Sequence, residues 1–496
     1  MAVFVWDCFL CFLPSLLLFL LCLALRWPRA GCWTRLTVRA AEPRFICKPT
    51  ALAKYLLRHC GSLAKPRLAP WPRGDPHLQT LSSLLWGQHG DTIQFSRDNL
   101  LLRDGGIVAV DWAVGTGAGE EVGRKRWEGR KEYHSGGKAL GYFTSTPPVL
   151  LLIPQSWGGM TPHLKALCHQ AVRQGFYVVV FHPRGTAGCP LTTARLTEFG
   201  DPADLEQAVA YIHSRHPSSV LVAVSEGSGS GILLSYLGEH GSGTYLTAAA
   251  AISPVLQGQL WFETAMPPIY RWGALFHRKM QLRRYANSFR AVLDVDRALG
   301  SSSLRDFEER LFCSSAQFQQ RSSRPPDWDS YWERNEPLRD ADEVAVPVLC
   351  ICSRDDPLLP PASTLPIPLF QSNPYFLLVL TDKGGHCGFT MEGREEMEGA
   401  RTENDEVEEA SWSHNVVLEY FRVAADFLKG EERDGARWGG PLGEYSQAGQ
   451  RNRIGNMAPP RRRRATMTRR PRPQAPGQSR VDAEDGNFTW KRSYTR

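Results

Sequence analysis

Short runs of apolar residues recur through the middle of the chain, each followed by a turn and an amphipathic stretch. Val149-Leu-Leu-Leu-Ile153, Tyr177-Val-Val-Val-Phe181, Val220–Val224, Ala248–Ile252, Val346–Cys352 and Tyr375–Leu380 are almost uninterrupted. A strand with one wet face alternates apolar and polar residues, whereas a strand covered on both faces does not. Helical periodicity around His163–Gly175 and Asp201–Arg215 lies between these runs. The pattern predicts an α/β domain with a mostly parallel sheet and helices on both faces.

Outside that core, Ala51–Arg58 has helical spacing, and two strand candidates, Asn99–Arg103 and Ile107–Trp112, flank Asp104-Gly-Gly106. Residues 115–146 read as a long loop rich in Gly, Lys and Arg. Residues 255–335 break the strand–helix alternation. They are helical and aromatic-rich, with Trp261, Phe262, Tyr270, Trp272, Phe276, Trp328, Tyr331 and Trp332, and fit a lid inserted between late strands. Met391–Glu409 is an acidic surface loop, and Trp412–Leu428 is the last amphipathic helix. The domain is expected over 45–428, with the lid at about 255–335.

The two ends differ from this domain. Cys8–Leu25 is nearly continuous apolar sequence, about 18 residues long, which approaches a bilayer's hydrocarbon thickness as a helix. Arg26, Arg29, Arg35 and Arg39 follow, with Trp27 at an interfacial position. This favours an uncleaved membrane anchor within 1–30 with its C-terminal side in the cytoplasm, on the endoplasmic reticulum or another cellular membrane. A cleaved signal peptide and secretion is the alternative. From 430 to 496 the chain is polar and rich in Arg, Pro and Gly, including Arg461-Arg-Arg-Arg464, and disorder is expected there.

Composition adds limits. The chain has 496 residues, 42% of them hydrophobic, enough for one large domain with extensions. The net charge of +7 is concentrated in the tail, which suits a membrane surface or an acidic protein partner, and no nucleic-acid motif accompanies it. The twelve cysteines form no disulfide framework. Cys350 and Cys352 make a C-x-C pair on a buried strand without a second pair at ligand spacing, so buried free thiols are expected, and neither metal nor cofactor.

Four segments carry candidate chemistry. Pro154-Gln-Ser-Trp-Gly-Gly159 follows the first apolar strand, where backbone N–H groups of Gln155 and Ser156 can face a developing oxyanion. Val220–Gly231 reads as a strand, a glycine-rich turn and a helix, the form of a nucleophile elbow. Ser353-Arg-Asp-Asp-Pro357 follows a late strand, where an aspartate can hold a histidine's tautomer. Lys383-Gly-Gly-His-Cys-Gly-Phe389 follows the next strand and carries His386. Elbow, then Asp, then His is the chain order of the α/β-hydrolase fold.

Asp75-Pro-His-Leu-Gln-Thr80, Asp104-Gly-Gly106 with Asp111-Trp112, Phe181-His-Pro-Arg-Gly185 and Gly384-Gly-His386 resemble the membrane-associated α/β-hydrolase family of esterases and phospholipases, from about 45 to about 428. The Val224-Ser-Glu-Gly-Ser-Gly229 elbow and Trp490-Lys-Arg-Ser-Tyr-Thr-Arg496 are similar to one member in particular. The resemblance implies an N-terminal anchor and cleavage of lipid esters. It matches Asp356, chosen over Asp355 by the Asp-x-x-x-Pro spacing, to a triad acid, and His386 to the base.

The nucleophile departs from that pattern. Gapless counting from Tyr236-Leu-Gly-Glu239, or forward from Leu221-Val-Ala-Val224, places Gly227 in the serine slot. Ser225 could serve in a shifted register, Ala223-Val-Ser-Glu-Gly227, and Ser228 in another that sets bulky Glu226 where a small residue is needed. Glu226 as a carboxylate nucleophile has no other support. Two functions stay open. One is a degenerate hydrolase-fold protein of lipid metabolism that acts as a lipid- or protein-binding regulator, holding an acyl chain or lipid-like ligand under its lid and a protein partner through its basic tail. The other is an active serine carboxylesterase or lipase using Ser225, His386 and Asp356 on a lipid or acyl ester.

Overall fold

The computed structural model describes residues 43–64, 68–69, 74–85, 93–114, 146–156, 159–264, 266–290, 293–313, 327–391 and 411–438. The apolar N-terminal segment, nearly all of the 115–146 loop and of the acidic loop, and the tail beyond 438 lie outside these residues. Among the described residues, no helix is long and apolar enough to cross a membrane.

Nine strands form one sheet: β1 (Arg44–Ile46), β2 (Gln94–Leu101), β3 (Ile107–Val114), β4 (Val149–Ile153), β5 (Tyr177–His182), β6 (Leu221–Glu226), β7 (Ala248–Ile252), β8 (Val348–Ser353) and β9 (Phe376–Thr381). Their order is β1-β9-β8-β7-β6-β4-β5-β3-β2. The strands from β9 across to β5 are parallel. β3 joins β5 and β1 joins β9 antiparallel, and β2 pairs with β3 as a hairpin. This is the expected α/β-hydrolase fold, with the continuous apolar strands at its centre.

Alternation along each strand feeds two cores. Val222 and Val224 point into one, beneath the helices Ala51–His59, Pro162–Arg173 and Trp412–Trp438. Leu221 and Ala223 point into the other, against Ala203–Arg215 and Ser230–His240. Burying each branched side chain on either face contributes roughly 1.5–3 kcal/mol, which fixes the strand's register. The register matters at the end of β6. The sequence predicts a strand ending at Val224, but pairing runs on through Ser225 and Glu226 to partners on β4 and β7.

The helical segment expected as a lid forms a third core together with Phe199 and Leu359. Phe199, Trp261, Phe262, Trp328 and Trp332 meet largely edge to face, between helices that include Gly258–Thr264, Pro268–Arg284, Leu304–Phe312 and Trp328–Asn335. Buried Glu308 accepts hydrogen bonds from Arg278 at 2.7 Å and from the Tyr331 hydroxyl at 3.0 Å. The aromatic residues singled out in the sequence are thus mostly packing. A cavity beneath the lid, lined by Ser156, Phe199, Ile232 and Phe262 among others, has about 20 Å³ of space, room for roughly one water.

Candidate functional site

The turn after β6 decides what chemistry is available. Gly227 stands at its apex with φ of +48°, opening a short 3-10 turn that passes directly into the helix Ser230–His240. A strand-to-helix elbow forces this left-handed backbone at its apex, and the residue there points into the site. A Cβ built on Gly227 falls 2.8 Å from His386 Nε2 and 3.5 Å from Gln155 Nε2. The position that would carry a nucleophile is therefore the one facing the imidazole, and it has no side chain.

His386 is otherwise fully equipped. Its Nδ1 lies 2.9 Å from Asp356 Oδ2. The other Asp356 oxygen accepts from the backbone N–H groups of Leu358 at 2.8 Å and Leu359 at 3.2 Å, so the carboxylate cannot swing. Burial disfavours a charged imidazole, but the Asp356 carboxylate, with Cys387 acting in the same direction, outweighs it and carries the His386 pKa well above the ordinary histidine value. Asp355 plays a separate part. It accepts from the Gly385 N–H at 3.0 Å and holds the loop that bears His386.

The candidate serines divide in the same way. Ser225 sits inside β6, opposite Ile153 and Ala251, with its Oγ buried and unpaired. The pairing leaves it two residues short of the apex. Ser228 lies just past the apex, and its Oγ accepts from the Ser156 N–H at 3.2 Å. One of the two backbone donors predicted for the oxyanion is thereby engaged by the chain's own hydroxyl. Gln155 turns its side chain toward the empty slot. Glu226 projects from the opposite face of β6 and is bound there by Thr161 and His163.

Against known proteins, the chain is 44% identical over 454 residues to Protein ABHD15 of Homo sapiens, covering 91% of this chain and 85% of that protein. The chain belongs to the α/β-hydrolase domain-containing family. It is also 28% identical over 361 residues to Phospholipase ABHD3 of Bos taurus, covering 71% of this chain and 79% of that protein. Among solved structures, an esterase of Pyrococcus furiosus matches 60% of this chain and 88% of its own at 13% identity and a TM-score of 0.33. No family model matches the chain.

The sequence motifs shared with the α/β-hydrolase domain-containing family have mechanical explanations here. Asp75 caps the helix Pro76–Leu85, accepting from the His77 and Leu78 N–H groups at 3.0 and 3.1 Å. That helix grips the His386 loop: Thr80 Oγ1 accepts from the His386 N–H at 2.9 Å, and Ser83 Oγ donates to the His386 carbonyl at 2.9 Å. Ser253, with φ of +47°, accepts from the Cys387 N–H at 3.0 Å. Arg184 bridges Asp204 at 2.5 Å and Asp104 at 2.9 Å, which ties the β2–β3 turn to a helix on the sheet. Asp111 pairs with Arg97 at 2.7 Å and His182 at 3.0 Å. Burial pushes the Asp111 carboxyl up, but Arg97 and His182 hold it down at about 2.

Ser83 and Ser253 escape sequence reading because nothing in spacing marks a residue that holds a loop from a distant element. Tyr270 is similar. It reaches from the lid helix to His77 Nδ1 at 2.9 Å, and burial, with Asp75 and Asp356 nearby, pushes its phenol up to about 12.

Proposed function

We propose that this chain is a catalytically silent, membrane-anchored hydrolase-fold protein of lipid metabolism that works by binding. The observation that carries this reading is the Cβ position of Gly227, 2.8 Å from His386 Nε2, in a turn with no hydroxyl at its apex. Asp and His without a nucleophile have only water to activate, and loss of a triad serine costs several orders of magnitude in rate. The Ser228–Ser156 contact removes an oxyanion donor as well. The lipid assignment draws on the relationship to Phospholipase ABHD3, whose name states its activity.

The lid supports contact with a lipid surface. Ile269, Trp272, Phe276 and Met280 are exposed on the helix Pro268–Arg284, at spacings of three and four residues, with exposed Arg271, Arg283 and Arg284 beside them. Large apolar side chains beside cations suit the interface of an anionic membrane. The cavity lined by Ser156, Phe199, Ile232 and Phe262 is itself too small for an acyl chain. The apolar N-terminal segment serves in this reading as the anchor, and the Arg-rich tail as a second contact for an acidic lipid or protein.

Reaction with a fluorophosphonate probe tests the silent site. The unaltered chain should stay unlabelled in the presence of vesicles, while a Gly227→Ser chain gains labelling. Labelling of the unaltered chain that disappears in Ser225→Ala would establish the active esterase instead. Carbonate extraction of the full chain, compared with one lacking residues 1–42, tests the anchor; equal release of both would refute it.

A further inference from the structure

On the face of β6 away from Ser225, three buried side chains that the elbow does not use converge beneath the turn. Glu226 is the last strand residue, His163 opens the helix Pro162–Arg173, and His414 lies in the first turn of Trp412–Trp438. Each is at most 8% exposed. His163 Nδ1 lies 2.5 Å from Glu226 Oε1 and 3.3 Å from His414 Nε2. One potential ligand atom from each residue falls within 4.8 Å of the other two.

Hydrogen bonding alone serves this cluster poorly. With the proton of His163 on Nδ1, that proton is directed to Glu226, and His414 Nε2 can share it only as the weaker arm of a bifurcated bond. If His414 carries its own proton on Nε2, two N–H groups oppose each other. The remaining ring atoms, His163 Nε2 and His414 Nδ1, are buried and unpartnered with or without a cation, so what a cation relieves is the crowding of His163 Nδ1, His414 Nε2 and Glu226 Oε1. A cation placed among the three atoms would take a lone pair from each ring and from the carboxylate.

We propose that His163, Glu226 and His414 form a binding site for a divalent transition-metal ion, with Zn²⁺ the expected occupant. Two imidazoles and one carboxylate form a known zinc donor set, and metal–nitrogen bonds of about 2.0–2.1 Å place neighbouring ligands roughly 3.3 Å apart in a tetrahedron. The two histidine nitrogens already stand at 3.3 Å. The carboxylate must back away from His163 by under an ångström. Its second oxygen is steadied by Thr161 Oγ1 at 2.9 Å, and the same hydroxyl accepts from the Leu164 N–H at 3.0 Å as the helix N-cap. Such an outer contact is what orients a ligating carboxylate. The ligands lie 63 and 251 residues apart along the chain, so no local motif marks them.

The ion would join β6 to two helices directly below the elbow, with its fourth position left to a water. The site is independent of whether the elbow is silent.

The test uses the full chain in detergent, stripped with EDTA, exposed to Zn²⁺ and desalted, with retained metal measured by mass spectrometry. One Zn²⁺ per chain is expected, together with a raised Tm. His163→Gln and His414→Gln should each weaken uptake at least tenfold and abolish the metal-dependent part of the Tm. No retained metal, or equal retention in both variants, overturns the proposal. Should the variants fail to fold, Co²⁺ loading of the unaltered chain decides. Visible bands of a tetrahedral nitrogen–oxygen site support it. A thiolate-to-cobalt charge-transfer band, or the weak absorption of an octahedral ion, places the cation elsewhere.

Discussion

The two halves of the candidate site sit side by side and have been treated in opposite ways. On the acid–base half, Asp356, His386 and their loop are held by Thr80, Ser83, Ser253 and Asp355, contacts drawn from distant parts of the chain. On the nucleophile half, the apex residue has no side chain and the neighbouring hydroxyl turns onto a backbone donor. The contrast teaches that support for an acid–base pair and a side chain at the apex are separate matters within one site. The His386 loop also packs against the helix Pro76–Leu85, so its contacts are retained by packing. The apex lies outside both cores of the sheet, so its lack of a side chain leaves them intact.

The largest expected effect comes from refilling the empty half. Gly227→Ser combined with Ser228→Ala frees the Ser156 N–H and supplies a hydroxyl, provided the imidazole retreats from a Cβ that otherwise falls 2.8 Å from Nε2. Turnover of a short-chain nitrophenyl ester should rise roughly 10³-fold or more above the unaltered chain. Gly227→Ser alone should fall short of the pair by about 10²-fold, the worth of one oxyanion donor. Equal rates for the single and double variants would show that the Ser228 contact does not block the site.

Breaking the intact half should register in stability. Asp356→Asn is expected to cost about 1–3 kcal/mol near pH 6, measured by chemical denaturation. The sign follows from the raised His386 pKa. The folded protein holds that proton more tightly than the unfolded chain, whose histidine titrates near about 6.5. The stabilisation is complete below about pH 6.5 and fades as pH rises through the folded value, so the cost of Asp356→Asn should shrink in alkali. A cost that grows with pH would mean His386 is neutral in the fold.

Two smaller effects separate structure from function. Ser225→Ala removes a buried, unpaired hydroxyl, so stability should hold or rise by up to about 1 kcal/mol, with binding unchanged. Trp272→Ser on the exposed lid face should lower the affinity for anionic vesicles in a flotation assay and shift stability by less than about 0.5 kcal/mol. Loss of vesicle binding with Ser225→Ala, or none with Trp272→Ser, would reverse the assignment of roles.

Much of this is legible in the residues themselves. Strands Val149–Ile153 and Ala248–Ile252 coincide with their apolar runs, because burial on both faces leaves no polar position to blur the ends. Counting along the chain from two sides puts Gly227 in the serine slot, and its geometry lies where both counts meet. The apolar pattern ends β6 two residues early because Ser225 and Glu226 are polar, and polarity ordinarily ends a buried strand. Their burial depends on residues far away in sequence, such as His163 for Glu226, and no local pattern announces those. β1 escapes the pattern for a related reason: three residues on an antiparallel edge carry too little periodicity to stand out.

The left-handed apex of the elbow has one more consequence. A serine held there stores backbone strain of about 1–3 kcal/mol, which an enzyme tolerates because the strain exposes its hydroxyl. Glycine adopts the same φ of +48° without that penalty. Glycine at the apex therefore leaves relaxed a backbone that a serine would strain. Stability and the bare apex thus come from one residue, and a Gly227→Ser chain should gain its hydroxyl at some cost in stability.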